Sequence, residues 1–408
     1  MNTMLQDNTL TIFLEGRIDS NNANEIESQI MNAISENQSA SGIRIDAEKL
    51  SYISSAGLRV LLKVRKKTGK VLPILNVSSE IYDTFSVTGF TELLDVHKKM
   101  REVSVEGCKV LGEGANGTVY RLTRDEMIKV FKHNISLESI EAEREASKKA
   151  FLLGVPCAIA FDTVKCGDTY GTIYEIFNAR TLAEQINEDS TKLPEFARSS
   201  ARLLKQLHEI NVPEGQLPKA SRVIHDKIDR LTEYFSSDEI EKLHALFYSI
   251  PEMNRFIHQD YHTKNIMESN GELMLIDLGE SGMGNPFLDL IHCYMVFITV
   301  AESMRRMDDV INSRSGKPGQ ASSKANAFIG ITAGQMNEFW EIFIDTYCNG
   351  KGVKAINEKL DPYGTLVHII SASVHPLMSK EYRSIYLDRA HNEIFPRYDE
   401  LMSYTWEI

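Results

Sequence analysis

The run His258-Gln259-Asp260-Tyr261-His262-Thr263-Lys264-Asn265, followed by Leu275-Ile276-Asp277-Leu278-Gly279, constrains this chain more than any other feature. It sets a carboxylate, a carboxamide and a second carboxylate before glycine in a fixed order. That order suits phosphoryl transfer from a nucleotide. Asp260 can accept a hydrogen bond from an attacking hydroxyl, while Asn265 and Asp277, the latter expected in an apolar strand, offer hard oxygen ligands to Mg²⁺. Upstream, Gly112-Glu113-Gly114-Ala115-Asn116-Gly117-Thr118-Val119 spells G-x-G-x-x-G-x-V, and Met127-Ile128-Lys129-Val130 puts a lysine on the next strand. A glycine-rich loop alone is a weak signal; four elements in this order are a specific one.

At 408 residues the chain exceeds one ordinary core and points to two or three domains. Its net charge of −12 argues against a general binder of nucleic acid or of anionic membranes. The five cysteines, at 108, 157, 166, 293 and 348, form no C-x-x-C pair and fit a reducing compartment. No basic segment followed by an apolar run opens the chain, and the most apolar stretch, Cys293 to Ala301, is far below membrane-spanning length. A soluble, cytoplasmic protein is expected, with no nucleic-acid or membrane partner.

Residues 1 to about 103 read as one unit. Leu10, Ile12 and Leu14 alternate as in a half-buried strand, Asn22 to Ile34 reads as a helix, and Ile43 to Ile45 as a second strand. Ser54 and Ser55 open a helix whose Leu58, Leu61 and Leu62 share a face, and Lys63, Arg65, Lys66, Lys67 and Gly69 suit its C-terminus. A strand over Leu72 to Val77 and a helix around Ile81 to Phe85 complete a small α/β layer fold.

This unit resembles the STAS domain of anti-sigma-factor antagonists. The resemblance rests on Leu50-Ser51-Tyr52-Ile53-Ser54-Ser55-Ala56-Gly57-Leu58-Arg59-Val60-Leu61-Leu62, with Gly16-Arg17-Ile18-Asp19 earlier. It implies a protein partner and places the family's phosphorylated serine on Ser55. Ser54 stands where Asp is usual in that family and Ala56 where a second Ser is usual. The plainer role for either serine is to cap the helix.

After a connector at residues 101 to 107, the nucleotide-site strands begin at Cys108. Ser136 to Leu153 reads as a charged helix, Thr172 to Phe177 as a strand, and Glu195 to Ile210 as a long amphipathic helix. Asn285-Pro286 caps a helix running through Asp289, and Asn312 to Ser323 reads as a mobile loop.

Residues 108 to 408 resemble the aminoglycoside phosphotransferase and choline kinase branch of the protein-kinase-like fold. Asp-Leu-Gly replaces Asp-Phe-Gly, only Leu278 to Leu288 separate Asp277 from Asp289, and no Ala-Pro-Glu follows. Gln259 departs from the pattern, standing where Gly is common. The resemblance implies a two-lobed α+β domain, with an N-lobe over about 108–177 and a C-lobe over about 178–408. It implies ATP or GTP with Mg²⁺ as cofactors and a small-molecule hydroxyl as acceptor.

By that resemblance Gly112, Gly114, Gly117 and Lys129 would meet the phosphates. Glu145, the second Glu of Glu143-Arg144-Glu145, would hold Lys129. The connector Tyr174 to Phe177, including Glu175 and Phe177, would pair with the base. Asn265 and Asp277 would bind metal and Asp260 would orient the acceptor. His258 is read as bracing the loop, Asp289 as a structural anchor, and His262 is left without a role.

Two other readings compete with a small-molecule phosphotransferase regulated by a STAS module. One is a partner-switching regulator whose kinase-like part binds nucleotide only. The other takes a protein serine, Ser55 included, as acceptor. The intact set Lys129, Asp260, Asn265 and Asp277 weighs against the first, and the short segment after Asp277 against the second.

Overall fold

Alternating apolar residues turn one face of each central strand of the first unit inward, and Leu10, Ile12, Leu14, Ile43 and Ile45 are all buried. The computed structural model describes residues 1–6, 8–69, 71–114, 116–306, 329–374 and 380–406, with backbone only over 372–374 and 380–382. The run Asn312 to Ser323 therefore lies outside the described residues. The chain divides into two compact units. One holds Met1–Ser104 with Val164–Gly167, and the other Val105–Thr163 with Asp168–Ile408.

The first unit carries a five-stranded sheet in the order β1 (Asn2–Gln6), β2 (Thr9–Ile18), β3 (Gly42–Ile53), β4 (Pro73–Val77) and β5 (Asp95–Lys98). The strands from β2 to β5 run parallel, and β1 pairs antiparallel with β2. The exposed β1 has no counterpart in the sequence reading, because every residue in it faces solvent and no apolar alternation marks it. The crossover helices are α1 (Ala23–Glu36), α2 (Ser55–Thr68) and α3 (Ser79–Val87). α2 lies so close to the sheet that a Cβ at Gly57 would sit 2.7 Å from Ile53 and 2.8 Å from Ile18, so only glycine fits there. It ends on Gly69 at φ 64°, the left-handed cap expected from its sequence.

Next along the chain comes a sheet in the order β6 (Val110–Glu113), β7 (Gly117–Arg121), β8 (Glu126–Phe131), β10 (Thr169–Glu175) and β9 (Ala160–Cys166), with α4 (Leu137–Leu152) inserted after β8. β10 ends at Glu175, which leaves Ile176 and Phe177 beyond the strand. The helical part follows with α5 (Leu182–Glu188), α6 (Leu193–Leu207), α7 (Ala220–Ile228) and α8 (Ser237–Tyr248). Two short ribbons then frame the motif residues. β11 (Arg180–Thr181), β13 (Ile266–Ser269) and β14 (Glu272–Leu275) form one; β12 (Arg255–Ile257) pairs with β15 (Gly282–Gly284) in the other.

α9 (Pro286–Tyr294) is capped by the Asn285 side chain on the N–H of Phe287, and a π-helical turn at Met295–Thr299 follows it. The whole helix Pro286–Arg306 is long and apolar enough to cross a membrane, which Cys293 to Ala301 alone did not suggest. Its most apolar window is 78% buried inside the protein, as in a core helix.

Candidate active site

The loop between β12 and β13 and the turn after β14 bring Asp260, Asn265 and Asp277 to one end of the two ribbons. The Ile276 N–H donates to the Asn265 carbonyl at 3.0 Å, which ties the carboxamide residue to the one preceding Asp277. Asp277 is not in the strand, as its spacing suggested. β14 stops at Leu275, and Asp277 takes φ 60°, a left-handed conformation that breaks the pleat and leaves its side chain exposed.

Asp260 is held from two sides. Asn265 Nδ2 donates to its Oδ2 at 2.8 Å and to its backbone carbonyl at 3.0 Å, and His262 Nε2 lies 3.4 Å from Oδ1. Burial works against its charge. The neighbouring His262, His292 and His258 outweigh that and hold the carboxyl well below the ordinary aspartate range. His258 braces the loop as expected, its Nδ1 accepting the N–H of Asp260 at 3.2 Å, and burial lowers its own basicity.

The loop is fastened from beneath by Asp289, fully buried on α9. Its carboxylate accepts the N–H groups of His258 at 2.8 Å and Gln259 at 2.6 Å, and its Oδ2 lies 3.0 Å from His208 Nε2. His208 in turn meets the Tyr347 hydroxyl at 2.7 Å. Gln259 sits at φ 62°, which is why glycine suits this position. Here the side chain instead secures the strained residue, donating to the Glu280 carbonyl at 2.9 Å.

On the opposite sheet, Lys129 Nζ lies 2.7 Å from Glu143 Oε1 and 3.5 Å from Asp277 Oδ1. Burial works against the ammonium, but Asp277 and Glu143 raise its pKa above the ordinary lysine value. The assignment of Glu145 to this pair is therefore corrected. Residues two apart on a helix point about 200° away from each other. Glu143 shares the inward face of α4 with the buried Ile140, Ala146, Ser147 and Ala150. Glu145 points away and meets Arg144 at 3.0 Å. That burial periodicity was the signal to follow.

The three glycines do different things. A Cβ at Gly117 would fall 2.2 Å from the Val130 carbonyl, so close approach of β7 to β8 demands glycine. Gly114 donates its N–H to the Gly117 carbonyl at 2.8 Å and closes the turn, while a Cβ at Gly112 would meet nothing within 4 Å. In the connector, the N–H of Glu175 donates to Ile159 at 3.4 Å and that of Ile176 to Asp125 at 2.9 Å. The Tyr174 hydroxyl lies 3.5 Å from Glu143 Oε1.

The oxygen donors fit a hard cation. Asn265 commits its Nδ2 to Asp260, which turns the amide oxygen to other use, and Asp277 offers an exposed carboxylate. Among the described residues no group of three or more His, Cys, Asp or Glu is placed to hold a metal ion by itself. A separate cleft of about 660 Å³ opens between α7 and α8, lined by His225, Asp229, Glu241, His244 and Tyr248 among others. The sequence reading missed it, because its residues are scattered over two helices without motif spacing.

The model of the phosphotransferase enzyme family, APH, matches residues 107–321, and the STAS domain model matches residues 1–103. BtrV of Bordetella bronchiseptica (strain ATCC BAA-588 / NCTC 13252 / RB50), a protein named as an anti-sigma factor antagonist, is 30% identical over 93 residues, covering 22% of this chain and 78% of BtrV. Among solved structures, ADP-bound aminoglycoside phosphotransferase APH(2'')-Ib aligns with a TM-score of 0.44 at 16% identity, over 80% of this chain and 97% of its own. A choline/ethanolamine kinase family protein from Mesorhizobium loti aligns with a TM-score of 0.41 at 16% identity, over 72% and 92%. With more than half of its length under the first model, this chain belongs to the phosphotransferase enzyme family and carries a STAS domain ahead of its protein-kinase-like fold.

Proposed function

We propose that the chain transfers the γ-phosphoryl group of ATP to a hydroxyl of a small molecule, and that its STAS domain, over residues 1–103, answers to a protein partner. The observation that carries this reading is the meeting of Lys129, Glu143 and Asp277 across the sheet and ribbon, with Asp260 fixed by Asn265. Lys129 would neutralise phosphate charge while Glu143 keeps its ammonium in place. Gly112 and Gly114 leave room above the sheet for the phosphates. Asp260 would accept the hydrogen bond of the incoming hydroxyl and aim its oxygen at phosphorus. As the new O–P bond forms, the bond to the bridging oxygen breaks, ADP leaves with that electron pair, and the hydroxyl proton passes to the carboxylate or to water. Asp277 and the Asn265 amide oxygen would hold Mg²⁺, which would supply positive charge against the phosphates. All five cysteines are free, which supports a reducing, cytoplasmic setting.

A pool of hydroxylated metabolites incubated with the chain and isotope-labelled Mg-ATP tests the reading by mass spectrometry. A labelled phosphomonoester is expected. With that acceptor, Asp260→Asn should keep Mg-ATP affinity and lose turnover by about a hundredfold or more. Full turnover in the Asn variant would remove Asp260 from its role. Unchanged Mg-ATP binding and turnover in both Lys129→Met and Asp277→Asn would remove the phosphotransferase reading itself.

A further inference from the structure

Two histidines flank Asp260 in the loop, and the hydrogen bonds each makes fix which ring nitrogen carries its proton. A neutral imidazole has one N–H donor and one bare acceptor. The Nδ1 of His262 accepts the backbone N–H of Lys264 at 3.2 Å, so that nitrogen is bare and the proton belongs on Nε2. Nε2 is the atom that lies 3.4 Å from Oδ1 of Asp260. His258 has the same pattern, its Nδ1 accepting the N–H of Asp260, but its Nε2 is buried and meets no partner among the described residues. The two rings are therefore not equivalent: His262 turns Nε2 to one carboxylate oxygen while Asn265 donates to the other.

The carboxylate torsion of an aspartate is broad and twofold when unrestrained. In this loop one oxygen takes the Asn265 amide and the other faces the His262 ring, while each oxygen keeps a further lone pair. We propose that His262 is a positioning residue, whose Nε2–H fixes the rotation of the Asp260 carboxylate so that a free lone pair faces the acceptor hydroxyl. His262 takes no proton in this role, because the loop backbone already occupies its bare nitrogen. It is 8% exposed, so the ring is held by its surroundings rather than by solvent. The inference rests on Asp260 being the group that orients the acceptor.

Nitrogen-15 NMR of the histidine side chains in the full chain tests the geometry without any acceptor. His262 should carry its proton on Nε2 and none on Nδ1, and that proton should shift in Asp260→Asn. A proton on Nδ1, or an Nε2 proton indifferent to Asp260→Asn, overturns the proposal. The second arm follows phosphate release from Mg-ATP with water as acceptor. His262→Leu should lower kcat about tenfold or more with KM for Mg-ATP held within about twofold, and His262→Gln, which keeps a donor, should recover most of the loss. In an Asp260→Asn background His262→Leu should cost nothing further, since both changes remove one contact. A change confined to KM, or a Gln variant no better than Leu, overturns the proposal. If Asp260→Asn itself leaves kcat intact, it is the reading of Asp260 that fails; if that variant loses turnover while His262→Leu keeps it, His262 alone is misassigned.

Discussion

At the scale of single residues, the pairing of Lys129 separates what a motif states from what a helix allows. The motif supplies two glutamates around Arg144, and either could reach a lysine in a linear reading. The three-dimensional choice falls to Glu143, whose side chain has only 14% of its surface exposed against 43% for Glu145. Glu143→Gln should weaken Mg-ATP binding by about tenfold, because a buried ammonium loses the carboxylate that holds it in position. Glu145→Gln should change affinity by less than about twofold, since exposed pairs contribute little. Isothermal titration with Mg-ATP decides between them, and equal losses would return the role to Glu145. The same scale marks what could be read in advance. Asp260, Asn265, Asp277 and Lys129 carry their chemistry in their type and order, and the structure brings the first two into contact and the last two within 3.5 Å. The left-handed backbone of Gln259 and Asp277 was not legible, because glutamine rarely adopts it and aspartate does so only as a minority conformation, so residue type alone does not select it.

At the scale of elements, the loop depends on α9 as much as on its own sequence. One turn of that helix delivers Asp289 beneath the loop, where it accepts two backbone N–H groups and meets His208. The sequence pointed to an anchor at Asp289, but His208 and Tyr347 come from distant helices and no spacing connects them. Burial opposes the charge of Asp289, yet the bond from His208 and the two N–H groups hold its pKa below the ordinary value. A carboxyl depressed in this way gives stability that is complete above the unfolded pKa of about 3.9 and is lost as pH falls through the lower folded value. Asp289→Asn should therefore destabilise the second unit by about 3 kcal/mol at neutral pH, the range for removing one partner of a buried charged network. The gap between wild type and variant should stay constant down to about pH 4 and narrow below it. Urea unfolding across pH 2.5 to 7, values set around that reference pKa, checks this, and a gap that widens on acidification would contradict the sign.

At the scale of the whole molecule, a STAS domain and a phosphotransferase share one chain, and we propose Ser55 as the residue through which a partner would sense charge. Its neighbour takes the capping duty. The Ser54 hydroxyl accepts the N–H groups of Ala56 at 3.2 Å and Gly57 at 3.5 Å, and Ser55 stands exposed as the first residue of α2. Ser54→Ala should accordingly cost about 1 kcal/mol of stability, and Ser55→Ala should be close to neutral. A phosphate on Ser55 would add a charge of about −1.5 to −2 at the positive end of the helix dipole, so the fold should tolerate it. Its effect would fall on whatever surface docks there, repelling an acidic patch or attracting a basic one. The attached phosphotransferase is held at an effective concentration that can reach the millimolar range for a short linker, so self-modification has to be measured. We expect none, because a serine fixed in the first turn of a packed helix would be poorly presented to a site that takes a small acceptor, as proposed above. Phosphopeptide mass spectrometry after incubation with Mg-ATP tests that point. Pull-downs with wild type, Ser55→Asp and Ser55→Ala test the other, and the Asp form should lose or gain a partner that the Ala form treats as wild type does. Identical partner sets for all three proteins would leave Ser55 as a surface residue of the helix and nothing more.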